Sequence, residues 1–144
     1  MPINISLDPK GLLVLEDPIK NVKRATESIL FEIGFAVRST AIRNIQKGTA
    51  RTGKFRKSTK TGRRRRSSAR GEYPKSDSGR LAQSLIVVKT APNVIEVGST
   101  FIKYAKWLEE GTRNMDARPF LAPSLQKNLK NIAKITRRKI QKAF

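Results

Sequence analysis

At 144 residues the chain fits one domain, and a compact chain of that length buries roughly 70% of the surface its unfolded form exposes. Thirty-one Lys and Arg against 11 Asp and Glu leave a net charge of +20, enough to make isolated copies repel one another unless an anionic partner neutralises them. There is no Cys and no His, so disulfides, thiol nucleophiles, zinc ligand sets and the commonest general base are excluded, and no cofactor or metal is expected.

No apolar run approaches the ~18 residues of a membrane span, and the N-terminus lacks a basic stretch followed by an apolar one. Use inside a cell, away from membranes, is the expectation. Ile3, Ile5 and Leu7 alternate with Asn4 and Ser6, the period of a half-buried strand. Asp8-Pro9-Lys10-Gly11 fits a type I turn, and Leu12–Leu15 is then a return strand or a connector.

Asp17-Pro18 is a helix start, because Asp accepts from first-turn amides and Pro needs no partner there. Ile19, Val22, Ala25, Ile29, Ile33, Val37, Ala41 and Ile45 recur at steps of three and four up to Gly48. They predict one helix about 45 Å long at the standard rise. Leu30, Phe31, Phe35 and Ile42 widen its stripe, so the helix is either central to the domain or shows a second face to another subunit. Gly34 inside it marks a place where another segment of backbone approaches closely.

Composition then shifts. Residues 48–78 are expected as a flexible basic loop or arm inserted between the long helix and a β-hairpin. Ten cations, Arg51, Lys54, Arg56, Lys57, Lys60, Arg63, Arg64, Arg65, Arg66 and Arg70, fall here among Ser, Thr and Gly with no acid between 51 and 70. Such a segment buries too little apolar surface to offset its ordering entropy, so its order is expected to come from a partner, a protein surface or a DNA backbone. If Z of these side chains met duplex phosphates, log K would fall with log salt at about −0.9Z, without sequence preference.

Arg80–Thr90 holds the run Leu85-Ile86-Val87-Val88 and predicts a strand; Ala91-Pro92-Asn93 is a turn and Val94–Ser99 the return strand, with Lys89 placed to pair with Glu96. Tyr104–Glu110 predicts a short helix capped by Gly111 in a left-handed conformation. Glu109 and Glu110 oppose that helix's dipole, so a basic group is expected to answer them: Arg113, Arg118 or a residue of a neighbouring subunit. Residues before proline avoid the helical region, so Arg118 and Ala122 are expected outside a last helix beginning at Pro123. Leu125, Leu129, Ile132 and Ile140 make its apolar stripe, and Lys127, Lys130, Lys134, Arg137, Arg138, Lys139 and Lys142 its basic face. Adjacent Glu109 and Glu110 point about 100° apart and cannot serve as a facing acid–base pair, so no catalytic residues are expected.

Three blocks occur in order: Gly71-Glu72-Tyr73-Pro74 with Ser78-Gly79-Arg80-Leu81-Ala82-Gln83-Ser84-Leu85; Tyr104-Ala105 with Leu108-Glu109-Glu110-Gly111-Thr112; and Ala117-Arg118-Pro119-Phe120-Leu121-Ala122-Pro123-Ser124-Leu125. With the long first helix they cover most of the chain, and the ordered set resembles the tail-completion, or head-to-tail joining, family of tailed bacteriophages. The run Arg63–Arg66 is more basic than that family's pattern, which leaves the arm's role open. The resemblance implies an α+β fold: a small antiparallel sheet packed on one long N-terminal helix and a C-terminal helix. It further implies a non-enzymatic virion protein assembled in the host cytoplasm, a ring, expected as a hexamer, in the neck between head connector and tail.

Its partners would be other copies of itself and neighbouring connector, tail-terminator or tail-tube proteins, with DNA backbone in the channel as a further contact. Tyr104, Trp107, Leu108, Glu109, Glu110, Gly111, Arg118, Pro119, Phe120 and Leu121 form the corner expected to hold subunit contacts. A cytoplasmic, sequence-nonspecific nucleic-acid-binding protein of ribosomal-protein type is the alternative suggested by a pI near 11.2. A phosphate-directed hydrolase would need a metal site that 11 scattered acids do not visibly supply.

Overall fold

The computed structural model describes residues 5–7, 13–15, 18–47, 52–58 and 60–143; of 5–7, 13–15, 18–21, 65 and 143 it describes the backbone. The Asp8–Gly11 turn, Asp17, Gly48 and Arg51 lie outside the described residues. The fold is α+β, with antiparallel pairs of strands around two long helices.

Strands β1 (Ile5–Leu7) and β2 (Leu13–Leu15) pair antiparallel, Ile5 opposite Leu15, so the segment after the expected turn is a strand. Helix α1 runs over Pro18–Lys47. Strands β3 (Phe55–Lys57) and β4 (Arg64–Arg66) form a hairpin. A short helix α2 (Arg80–Ser84) leads into the hairpin of β5 (Leu85–Ala91) and β6 (Val94–Ser99). Helices α3 (Tyr104–Glu110) and α4 (Leu121–Ala143) complete the chain.

α1 is central. The β5–β6 hairpin packs at Gly34, where an added Cβ would stand 2.7 Å from Val87 Cγ1 and 3.1 Å from Ile95 Cγ2. The close approach expected there is therefore made by side chains rather than backbone. Arg38 Nε donates to the Leu85 carbonyl at 2.6 Å on the same side. The hairpin turns at Pro92-Asn93 with φ +61° at Asn93, the pattern of a type II turn with Pro at its second and Asn at its third position.

α4 lies along α1 antiparallel, as three contacts show: Asn128 Nδ2 to Thr40 Oγ1 at 2.8 Å, Lys139 Nζ to Ser28 Oγ at 2.9 Å, and an ion pair of Arg138 with Glu32. The expected stripe on α4 is corrected. Leu125, Leu129 and Ile140 are exposed, while Ser124 and Asn128 are buried. Both polar side chains are satisfied, Ser124 Oγ donating to Phe120 O at 2.5 Å and Asn128 Nδ2 to Ser124 O at 2.8 Å, which is what permits their burial.

The core gathers at the C-terminal end of α1. Ala41, Ile45, Leu81, Ala82, Leu85, Ala105 and Phe120 form one cluster drawn from five elements or their flanks. Ser76 N–H donates to the Ile45 carbonyl at 3.1 Å, satisfying an acceptor that the helix end would leave open.

Three further expectations change. Arg80–Ser84 are helical, so the strand begins at Leu85: good helix formers and buried Leu81 and Ala82 precede the β-branched run. Lys89 is opposite Ile95, not Glu96, and its Nζ meets Glu27 of α1 at 2.5 Å. α4 starts at Leu121, with Ala122 helical, because Pro123 falls within the first turn, where a missing N–H costs nothing.

Candidate binding cleft

The corner between α3 and α4 is closed by one side chain. Glu109 Oε2 accepts from the amides of Phe120 at 2.7 Å and Leu121 at 3.0 Å, and Oε1 from Ala122 at 2.9 Å. Pro123 has no amide, so every donor that the start of α4 would leave open is accounted for. Among the described residues Glu109 is thus answered by backbone N–H groups and the positive end of a helix dipole rather than by a basic side chain. Glu110 has a cation, Lys106, one turn earlier at 3.9 Å. Gly111 takes φ +80° and ψ 178°, a region open essentially to Gly alone, rather than the left-handed helical cap expected. Its N–H still donates to Trp107 O at 2.9 Å, and an added Cβ would meet Ala117 N at 3.0 Å. Pro119 and Leu121 are half-buried and Phe120 fully so, making this part of the corner structural.

The basic segment carries its own hairpin, where composition alone pointed to a loop without one. Its order comes from polar anchoring rather than apolar burial. Ser58 Oγ donates to Asp77 Oδ1 at 2.5 Å, Gly53 N–H to Ser67 O at 3.1 Å, and Ser67 N–H to Lys54 O at 3.0 Å. Gly53 is required at the base: a Cβ there would stand 2.6 Å from the Ser68 carbonyl. Glu72 ties the far side, accepting from Thr52 Oγ1 at 2.6 Å and from Ala69 N–H at 2.7 Å.

Those bonds, the Thr52 hydroxyl first, then the Ala69 amide, with Arg118 adding a smaller attraction, hold the Glu72 carboxyl below the usual range. A lowered folded-state value means this contribution is complete above the ordinary carboxylate range and is lost as pH falls through the lowered one. An NMR pH titration should place Glu72 below a glutamate in a short peptide. Thr52→Val should move its midpoint upward.

The anchors bring the two sequence-predicted regions together across a cleft of about 510 Å³. Arg56, Lys57 and Arg66 of the hairpin stand on one side, Tyr104, Trp107 and Leu108 of α3 on the other, with Arg80 and Arg118 also in the lining. Among the described residues six cationic side chains line it, counting Lys75, against one carboxylate, Asp77, which Ser58 already engages. Arg66 lies over the Phe55 ring at 4.9 Å, a cation–π contact that orients its guanidinium. Tyr104 and Trp107 are one helical turn apart, hence on one face, and both are exposed.

Lys54, Lys60, Arg63, Arg64 and Arg70 are exposed outside this lining. Sequence reasoning missed Arg80 and, beside the cleft, Phe101. Phe101, Tyr104 and Trp107 recur at every third residue, and that spacing was the available signal. Comparison with known proteins yields no significant match to any protein-family model, to any curated protein or to any solved structure.

Proposed function

We propose that this chain is a structural virion protein of the bacteriophage neck, a ring-forming subunit that joins head connector to tail. The observation that carries it is the amount of large apolar side chain left on a highly charged surface. Leu129 is 57% exposed, Phe35 51% and Leu125 47%, while the buried apolar residues among those described amount to one small cluster and Val37. Exposed apolar groups of this size on separate faces suit a subunit that neighbours complete. The α+β arrangement and the three ordered sequence blocks support the same assignment. No helix among the described residues is long and apolar enough to cross a membrane. A nucleic-acid-binding protein of ribosomal-protein type is the competing function, favoured by the cationic cleft.

Electron microscopy of the purified protein, with mass spectrometry of virions, tests the assignment. Rings in solution and the protein in neck density are expected. A monomer at high concentration that is absent from virions would overturn it.

A further inference from the structure

We infer that the cleft between the basic hairpin and α3 binds a single strand of nucleic acid, phosphates on Arg56, Lys57, Arg66 and Arg80, bases stacked on Phe101, Tyr104 and Trp107. The inference does not depend on the neck assignment, because it concerns the ligand of one cleft and not the state of assembly.

Charge gives the first half of the argument. The hairpin register sets Lys57 directly opposite Arg64, a like-charge pair that weakens a ladder. None of Arg56, Lys57, Arg66 and Arg80 has a carboxylate within ion-pair distance among the described residues. Arg118 Nε is buried without a hydrogen-bond partner among the described residues, a donor the protein itself does not satisfy. A row of anionic groups would neutralise the exposed cations among these.

The aromatic groups decide which anion. A second hollow, lined by Phe101, Lys103, Tyr104 and Trp107 with Arg80, adjoins the cleft and shares Arg80, Tyr104 and Trp107 with it. The two hollows share these walls, their linings together hold three aromatic rings among cations, and Phe101 is 90% exposed. A cationic groove beside exposed aromatic faces is how unpaired bases are held without regard to sequence. An acidic peptide would answer the cations and leave the rings in water. A duplex would answer the cations with its bases already stacked on one another.

Trp107 is the only Trp of the chain, so its fluorescence reports on these hollows alone. The full chain is titrated with an oligothymidylate, an abasic strand of equal length, a duplex and polyglutamate, at several salt concentrations. Oligothymidylate should quench Trp107 and bind more tightly than the other three. Trp107→Ala should weaken its binding by about five- to a hundredfold, read by anisotropy of a labelled strand, and Trp107→Phe should restore most of it. Removing two phosphate contacts in Arg56→Gln/Arg66→Gln should flatten the salt slope by about 1.4. The double variant Lys130→Gln/Lys134→Gln, equal in charge but on α4, should leave the quenching intact.

Circular dichroism establishes that each variant is folded. Equal affinity for polyglutamate would assign the cleft to an acidic protein surface and overturn the inference. Equal affinity for duplex without quenching, or no binding at all, would overturn it too.

Discussion

Phe120→Ala should lower the unfolding free energy by about 3–5 kcal/mol, the largest effect of any single truncation in this chain. Phe120 is 1% exposed and shares one apolar cluster with residues from α1, α2, the start of β5 and α3. Its removal opens a cavity where those elements converge, and the surrounding side chains close it only in part. Ala41, Ala82 and Ala105, three of the seven clustered residues, are too small to fill the space. Urea unfolding followed by circular dichroism measures the loss. Phe120→Leu should recover more than half of it, and a loss under about 1 kcal/mol for the alanine variant would mean the cluster is not the core.

Glu109→Ala should cost about 2–4 kcal/mol, from three amide donors left without their acceptor at the start of α4. In a domain of this size that corresponds to roughly 5–15 °C in Tm. Glu109→Gln offers one carbonyl oxygen in place of two carboxylate oxygens and loses the charge facing the helix dipole, so it should fall between wild type and alanine. Glu110→Ala is the internal control. Its partner Lys106 is 3.9 Å away and both side chains are largely exposed, so its loss should be within about 0.5 kcal/mol. Equal effects of the two alanine variants would show that Glu109 is not the clasp of this corner.

Backbone signals were the legible part of the sequence. Pro18 opens α1, Pro92-Asn93 turns the β5–β6 hairpin, and Gly111 ends α3, each because local dihedral constraints act regardless of tertiary context. Long-range polar bonds were illegible. Glu109 reads as a misplaced acid at a helix C-terminus until the next helix is folded back on it. Ser124 and Asn128 carry no apolar signal, and their burial on hydrogen bonds leaves the Leu125 and Leu129 of the expected α4 stripe exposed. In the basic segment the hydrogen bonds of Ser58 with Asp77, Ser67 with Lys54 and Glu72 with Thr52 are likewise long-range, and composition gives no sign of them. The arm and the aromatic corner were each visible, but that they face one another across a cleft is a property of the fold.

The α1–α4 pair is unevenly fastened. At one end lies the greasy knot around Phe120; at the other, Arg138 and Lys139 reach Glu32 and Ser28 through solvent-exposed or half-exposed contacts. Contacts of that kind contribute little in water. The tip of α4 should therefore open more readily than its start, which amide hydrogen exchange would read as faster exchange over residues 137–142 than over 124–129.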